Sequence, residues 1–184
     1  MFRRNRKWFA LKATAFAMLL LALAAPTQAQ ASGSSDSATL SAQAAPRIVR
    51  IQLPVGPNAF LDAHETGVNG LDFNVVTRGN QNNDTQRWLV SDAGGGAVTL
   101  QQVSSQRYLD AHETGVNGLD FRVVTRPKQS NDTQRWKIVN WGGGFFSLQQ
   151  VSSGRFMEAK TFVNSQVVTR PETGIDLQVW RMGS

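Results

Sequence analysis

The chain has 184 residues, no cysteine and a formal net charge of +6. Five of its 19 basic residues lie in the first 12 positions, and the remainder of the chain carries 14 basic against 13 acidic residues. That near balance argues against a nucleic-acid-binding protein, which needs a basic face on its folded part. The lack of cysteine excludes disulfide bonds, thiol catalysis and a lipid-modified N-terminal cysteine.

The N-terminal segment is basic and leads into an apolar run, residues 13–25, and then into small residues at 29–31. This run is shorter than the roughly 20 residues that a helix needs to span a bilayer. The pattern predicts a cleaved secretory signal peptide over residues 1–31, with an uncleaved anchor as the alternative. We therefore expect a secreted or periplasmic protein without stable membrane insertion. Residues 32–46 are small and polar, which predicts a disordered linker.

An internal repeat occupies most of the remaining chain. Residues 60–107 and 108–155 overlay without a gap and are identical at 34 of 48 positions. A third, shorter copy follows, in which 156–160 match 108–112 and 167–171 match 123–127. The tripeptide Gln-x-Trp occurs once in each copy, at residues 86–88, 134–136 and 178–180. A fixed period of this kind indicates units that bury their apolar faces against one another, and three units suggest closure with threefold pseudosymmetry.

Each unit contains short runs rich in β-branched and aromatic residues, separated by turn residues, which is typical of an all-β sandwich or barrel. Two runs of three glycines, at 94–96 and 142–144, predict tight connections with positive φ. Residues 48–53 resemble 98–102 and supply the first strand of the first unit. Around the second unit the predicted strands cover 145–151, 107–111, 122–126 and 134–139.

Four strands in each of the segments 47–93, 94–141 and 142–184 predict a β-trefoil, an all-β fold of three four-stranded repeats with pseudo-threefold symmetry. A propeller would need at least four blades. The Trp of each Gln-x-Trp is predicted to lie in the core, and the Gln, two residues earlier on the same strand face, to bond backbone in a neighbouring loop. Sugar stacking is the alternative for the Trp. The predicted structural core residues are Gln86, Trp88, Gln134, Trp136, Gln178 and Trp180.

Three Gln-x-Trp motifs, each preceded by a Leu-Asp or similar pair and a Gly/Asn loop, resemble the ricin-B-type β-trefoil lectins over residues 47–184. The spacing of Val123, Thr125, Pro127 and Trp136 is similar to that of actinohivin-like members. The resemblance implies a carbohydrate-binding protein in which each lobe, as we call each repeat, can hold one sugar. Glycans or polysaccharides are then the expected partners.

The resemblance also implies which residues contact the sugar. An acidic residue at the end of the second strand accepts hydrogen bonds from vicinal hydroxyls, and an amide ahead of the Gln-x-Trp completes the contacts. The acidic residues are Asp62, Asp110 and Glu158, and the amides are Gln81 and Gln129, or Asn83 and Asn131 if the loop shifts. The third lobe has Thr173 and Ile175 at the amide positions, so two competent lobes are expected.

One departure from the family concerns the stacking aromatic of the third strand, which is replaced here by Val-Thr-Arg. Arg78 and Arg126 can donate to hydroxyls or recognise a carboxylate in bidentate fashion, which would favour an acidic sugar. The alternative for them is an intramolecular pair with Asp62 and Asp110 or with Glu65 and Glu113. His64 and His112 follow the Asp by two residues and can face the same pocket. Phe73 and Phe121 either supply the missing ring or, as we favour, pack in the core.

Catalysis has little support in a chain with two His, one Tyr and no Cys. No metal or other cofactor is expected, because Asp62 and His64 lie on the opposite side of an extended strand from Glu65. Asp62 with Asp72 could form a carboxylate pair for glycoside hydrolysis, but repeated sites in shallow lobes suit binding better. The alternatives to a carbohydrate-binding module are a protein-binding or inhibitory trefoil that uses the repeated His-Glu-Thr loops, and an envelope domain without a specific ligand. Trp141 fits either an exposed contact or local packing.

Overall fold

The computed structural model describes residues 45–65, 73–113 and 120–183. The predicted signal peptide, all but the end of the predicted linker, and the centres of the two repeated loops lie outside these residues. The described residues belong to a unit that spans Ser37–Ser184. They form twelve β-strands: Arg47–Gln52 (β1), Ala59–Ala63 (β2), Phe73–Gly79 (β3), Trp88–Gly94 (β4), Ala97–Gln102 (β5), Tyr108–Ala111 (β6), Phe121–Arg126 (β7), Trp136–Gly142 (β8), Phe145–Gln150 (β9), Phe156–Ala159 (β10), Ser165–Arg170 (β11) and Trp180–Gly183 (β12).

Six of the strands close a barrel. In antiparallel pairs, β1 joins β4, β4 joins β5, β5 joins β8, β8 joins β9, β9 joins β12, and β12 returns to β1. The other six form three hairpins, β2–β3, β6–β7 and β10–β11. The strands β3, β7 and β11 pair with one another and complete a cap. The predicted β-trefoil is therefore confirmed, and its closure leaves no barrel edge open to another chain.

The Trp residue of each Gln-x-Trp motif is fully buried at the start of the fourth strand of its lobe. Each indole Nε1 donates to a main-chain oxygen of the second strand of the same lobe, at 3.1, 3.1 and 3.2 Å. A buried Trp contributes a large apolar area while its N–H needs an acceptor, and this position satisfies both requirements. The donor and acceptor pairs are Trp88 with Leu61, Trp136 with Leu109, and Trp180 with Met157.

The Gln of each motif ends a short 3-10 helix and does not lie in the strand. The strand predicted from Gln134 therefore begins later, at Trp136. The displacement arises because the Arg135 N–H bonds back to the Asp132 oxygen at 3.3 Å, which closes a helical turn. The Gln134 side chain donates to the Pro127 oxygen at 2.9 Å and accepts from the Gln129 N–H at 2.8 Å. Equivalent bonds form in the other two lobes, so the predicted link to loop backbone is present.

The glycine triplets form the turns that were predicted. All six glycines have positive φ, between +61° and +83°, a region that costs other residues strain. They connect β4 to β5 and β8 to β9, and so join consecutive lobes.

The core position favoured for Phe73 and Phe121 is wrong, because both are only half-buried and lie outside the core cluster. Each ring is covered by an arginine of the next lobe, with Arg107 Cζ 4.1 Å from the centre of the Phe73 ring and Arg155 Cζ 4.2 Å from that of Phe121. The two arginines are fixed because they donate to main-chain oxygens at 2.9 Å. The rings thus form cation–π contacts between lobes.

Candidate functional site

A ladder of three side chains recurs on one face of each cap hairpin. An aromatic residue lies at or next to the start of the second strand, and an arginine stands opposite it on the third strand. An acidic residue follows two positions after the aromatic residue. Residues that alternate along a strand share a face, and residues directly opposite one another are neighbours. The aromatic and arginine partners are Phe60 with Arg78, Tyr108 with Arg126, and Phe156 with Arg170. The acidic residues are Asp62, Asp110 and Glu158.

In the first lobe, Asp62 is fully buried under Arg78. Arg78 Nη1 lies 3.9 Å from Asp62 Oδ1, too far for a hydrogen bond, and that oxygen has no hydrogen-bond partner within the described residues. The other oxygen, Oδ2, lies 3.2 Å from Thr85 Oγ1, which is itself 2.7 Å from Asn83 Oδ1. The single hydroxyl proton of Thr85 can serve only one of the two acceptors at a time. The Asp62 carboxylate therefore retains unused acceptor capacity.

The electrostatics of the first lobe follow from this burial. Burial raises the pKa of the Asp62 carboxyl, and the nearby Arg78 charge opposes that rise. Burial also lowers the pKa of His64, and Arg78 lowers it further. His64 is half-buried beside the pair, so the structure brings Asp62, His64 and Arg78 together. The ion-pair alternative proposed for Arg78 is present, with Asp62 as its partner.

In the second lobe the carboxylate is still less satisfied. Asp110 is fully buried, and in the described part of the chain neither carboxylate oxygen has a partner of good hydrogen-bond geometry, although the Gln134 and Thr133 side chains lie near enough to lower its pKa. Arg126 Nη1 lies 3.7 Å from Asp110 Oδ1, and Arg126 Nη2 lies 3.0 Å from His112 Nε2. Burial raises the pKa of Asp110, against the opposing charge of Arg126. Because an unpaired buried polar group is costly, this arrangement favours a ligand that donates hydrogen bonds.

The third lobe differs because both carboxylate oxygens of its acidic residue accept hydrogen bonds. Glu158 Oε1 accepts from Arg170 Nη1, and its Oε2 accepts from Gln178 Nε2 at 2.9 Å. Arg170 also holds Asp120 of the second lobe with bonds of 2.6 and 2.8 Å. The extra methylene of Glu lets its carboxylate reach Gln178. Each carboxylate oxygen of Glu158 therefore has a hydrogen-bond partner, unlike Asp62 Oδ1 and both oxygens of Asp110.

The amides predicted to complete the sites lie in the exposed connection before each 3-10 helix. In the second lobe, Asn131 Nδ2 donates to Gln129 Oε1 at 3.0 Å, and Thr133 Oγ1 donates to Asn131 Oδ1 at 2.9 Å. In the first lobe, Asn83 Nδ2 lies 3.5 Å from Gln81 Oε1. The amides are thus next to one another and open to solvent. The Asp carboxylates are not open, so the direct sugar contact implied for Asp62 and Asp110 stays a prediction and requires the covering arginine to move.

No site role was predicted from the sequence for the aromatic residue near the start of the second strand. Its signal is its place two residues before the acid, on the same strand face. Phe60 and Phe156 are each 8% exposed, whereas Tyr108 is more open and lines a cavity of about 370 Å³ together with Gln129 and Asn131. A second cavity, of about 730 Å³, lies where the second and third lobes meet and contains none of the predicted site residues.

Two further properties bear on the site. Over the ranges 45–65, 73–113 and 120–183, no group of three or more acidic or His side chains is placed to hold a metal ion. No helix within those ranges is long and apolar enough to cross a membrane.

Part of the chain is similar to a known protein family. Residues 84–165 match one family model. It describes ricin-type beta-trefoil lectin domain-like proteins, and the match spans the second ladder and both flanking Gly turns. No curated protein sequence matches the chain significantly.

Solved structures share the fold at low sequence identity. ThreeFoil, a designed threefold symmetric protein, superposes with a TM-score of 0.67 at 22% identity, over 74% of this chain and 98% of its own. A lectin from Polyporus squamosus, bound to the human-type influenza-binding epitope, gives 0.63 at 18% identity, over 74% of this chain and 48% of its own. An exo-beta-1,3-galactanase from Clostridium thermocellum gives 0.62 at 19% identity, over 73% and 30%. At these identities the similarity establishes the β-trefoil fold.

Proposed function

We propose that the protein is a secreted or periplasmic carbohydrate-binding module that holds glycans in shallow sites of its first two lobes. The observation that carries the proposal is the pair of buried carboxylates, Asp62 and Asp110: Asp62 Oδ1 and both oxygens of Asp110 lack hydrogen bonds within the described residues, beneath partly exposed arginines. A buried polar group without its hydrogen bond costs about 1–3 kcal/mol. Vicinal sugar hydroxyls would supply the missing donors, and bonds to an ionised carboxylate are stronger than neutral ones. The ricin-type family match supports the same reading.

Binding in these lobes requires the covering arginine to move. Arg78 and Arg126 lie 3.9 and 3.7 Å from their carboxylates, so turning outward breaks no direct hydrogen bond to the carboxylate. When the guanidinium turns outward, sugar hydroxyls reach the carboxylate, and the guanidinium bonds an acceptor on the same ligand. A carboxylate on the sugar fits the guanidinium fork best, so an acidic glycan such as a uronate or sialate is favoured. His64 and His112 flank the arginines.

The third lobe does not take part, because Glu158 and Arg170 already use their polar atoms on Gln178 and Asp120. Two sites of modest affinity on one rigid barrel gain strength on a multivalent glycan through effective concentration. The module needs no cofactor and performs no catalysis in this proposal.

A glycan array that includes neutral, uronate and sialate ligands tests the function, followed by calorimetric titration of the best ligand. Asp62→Ala and Asp110→Ala should each reduce the stoichiometry from two sites to one, and the double variant should lose binding. Glu158→Gln is the matched control in the third lobe and should keep both sites. Circular dichroism establishes that each variant is folded.

The carbohydrate proposal would be overturned by a double variant that binds glycans as the parent does. A folded protein that binds no glycan, yet captures a protein partner in a manner insensitive to free sugar, would instead favour a protein-binding or inhibitory trefoil. In that outcome, the repeated His-Glu-Thr loops are the segments to substitute next.

A further inference from the structure

A notch opens at the boundary between the first and second lobes. This notch is the cavity of about 370 Å³ already noted, which Ser91, Asp92 and Ala93 of β4, Thr99 of β5, Tyr108 of β6 and the segment 128–131 line. Tyr108 links the notch to the second ladder, because it lines the notch and stands opposite Arg126, two residues before Asp110. The internal repeat allows the same place to be compared in the other two lobes.

At the boundary between the second and third lobes the place of Ala93 is taken by a tryptophan. Residues 48 positions later are equivalent and pair in the same register, so Ala93 corresponds to Trp141 and Thr99 to Ser147. Trp141 Nε1 donates to Ser147 Oγ at 2.9 Å, which holds the indole against β9. Phe156, the counterpart of Tyr108, is 8% exposed and lines the cavity of about 730 Å³.

At the boundary between the third and first lobes the place of Thr99 is taken by an arginine. Gln52 pairs with Phe60 as Gln101 pairs with Tyr108, so Arg50 is the counterpart of Thr99. Arg50 Cζ lies 3.8 Å from the centre of the Phe60 ring. Its Nη2 atom is fixed by bonds of 2.7 Å to Asn80 Oδ1 and 2.9 Å to Gln86 Oε1. Ala93 and Thr99 are thus small where the equivalent positions carry Trp141 and Arg50, and Tyr108 is more exposed than Phe60 and Phe156.

The lining of the notch combines one aromatic ring with many small polar groups. Tyr108 supplies the ring, Gln129 and Asn131 supply amides, and Ser91 and Thr99 supply hydroxyls. The face of a pyranose that bears C–H groups is apolar and weakly positive, and an aromatic face is negative. A few polar groups around such a ring orient a small ligand. This composition suits a sugar unit better than an apolar ligand.

The notch is lined by Lys128, Arg135 and the exposed carboxylate of Asp92. Arg135 is held by Asp132 at 2.7 Å and by the Gly94 oxygen at 2.8 Å. Asp92 Oδ1 accepts from the Gly94 N–H at 2.8 Å. Lys128 is exposed, and among the described residues it forms no ion pair. A carboxylate or sulfate group on the sugar would find its counter-charge there.

We propose that the notch is a subsite for a second sugar unit of an acidic glycan, which stacks on Tyr108 and pairs its anionic group with Lys128. The second lobe then binds two adjacent units of one chain, the first over Asp110 and Arg126 and the second in the notch. Since the notch extends the lobe site, this inference rests on the proposed function. It makes the second lobe the tighter of the two sites, and it supplies the ring that is missing from the third strand.

The test variant places in the notch the tryptophan that the neighbouring lobe boundary carries at the equivalent position. Ala93→Trp in an Asp62→Ala background leaves the second lobe as the only proposed site, and trigalacturonate is the ligand probe. We expect Ala93→Trp and Lys128→Gln each to weaken binding about tenfold. Trp141→Ala, which opens the equivalent place in the third lobe, is the control and should leave the affinity unchanged. Tyr108→Phe should also leave it nearly unchanged, because the stacking face is retained.

A second measurement holds even if Ala93→Trp fails to fold. Tyr108 is the single tyrosine of the chain, so one ring signal in a tyrosine-labelled NMR spectrum reports on the notch. That signal should shift on titration with trigalacturonate and not with monomeric galacturonate at concentrations that fill only the Asp110 site. Glycan binding that requires Asp110 but leaves the Tyr108 ring signal and the affinity of Ala93→Trp unchanged would overturn the subsite in the notch but not the proposed function. Absence of any glycan binding by the parent protein would overturn the proposed function as well.

Discussion

Arg170 binds Asp120 through two parallel hydrogen bonds, 2.6 Å from Nε to Oδ1 and 2.8 Å from Nη2 to Oδ2. The pair joins the third lobe to the second, across the place where β11 pairs with β7. Lys160 Nζ adds a third contact at 3.4 Å. These contacts hold the pKa of Asp120 below its usual range, chiefly through the hydrogen bonds from Arg170. Because these hydrogen bonds hold the Arg170 guanidinium, Arg170 does not reach a ligand.

Asp120→Asn should destabilise the protein at pH 7 by about 1 kcal/mol, because the side chains are partly exposed. A carboxyl whose folded pKa is depressed contributes stability above its unfolded pKa, near 4, and loses it as the pH falls through the folded value. The difference between parent and variant should therefore vanish in acid. Urea unfolding between pH 2 and pH 7 measures it.

Asp84→Asn is the control for this prediction. Asp84 pairs with Arg87 at 3.0 Å, but both side chains are well exposed, so no measurable change is expected. A loss of stability in Asp120→Asn that is equal at pH 2 and pH 7 would contradict the electrostatic explanation.

Asp110→Asn should have the opposite pH dependence. Burial raises the folded pKa of Asp110, so on raising the pH the unfolded carboxyl loses its proton first, and the parent loses stability up to the folded pKa. Asn has no proton to lose. The variant should thus gain stability relative to the parent as the pH rises through the acid range, while glycan binding in the second lobe is lost.

Thermal unfolding at several pH values from 3 to 7 measures this difference. Glu158→Gln serves as the comparison, since the Glu158 carboxylate is fully hydrogen-bonded by Arg170 and Gln178 and its loss should destabilise the protein at pH 7. If Asp110→Asn fell further below the parent as the pH rises, the Asp110 carboxylate would be stabilising and the reasoning wrong.

The sequence predicts the fold because the same pattern of strands and turns recurs in all three copies of the repeat. The Gln-x-Trp motifs and glycine triplets locate the fourth strands and the turns to within a few residues, and Trp88 lies where its pattern places it. The site is harder to predict, because β periodicity predicts the face of the sheet on which a residue lies but not the side chains that cover it. Asp62 and Arg78 were placed together, yet the depth of the carboxylate depends on side-chain packing across two strands.

Contacts between lobes were also outside the reach of the repeat. Phe73 meets Arg107 of the next lobe, and a comparison of aligned copies shows equivalence, not contact. Tyr108 and Ala93 line the same notch although they belong to different lobes. Their proximity follows only from the barrel pairing, which brings β5 beside both β4 and β6.

Trp136→Phe should destabilise the protein by about 1–3 kcal/mol through the lost bond alone. The substitution leaves the Leu109 oxygen, which accepts from Nε1 at 3.1 Å, without its partner in a fully buried position. The smaller ring adds a cavity cost. Trp88→Phe and Trp180→Phe should show similar losses, since their bonds measure 3.1 and 3.2 Å. Urea unfolding midpoints that differ by less than the experimental error from the parent would contradict this role.

Gly144→Ala isolates the cost of backbone conformation in the turns that join lobes. Gly144 has φ of +81°, and a Cβ built there meets no atom within 4 Å, so the substitution adds strain without a clash. We expect a loss of about 1–2 kcal/mol. Gly79→Ala is the matched control, because a Cβ at Gly79 also meets nothing within 4 Å and its φ is not in the left-handed region. Reducing the freedom of the unfolded chain should there give a gain of up to about 1 kcal/mol. Equal effects of the two substitutions in thermal unfolding would show that positive φ does not constrain the turn.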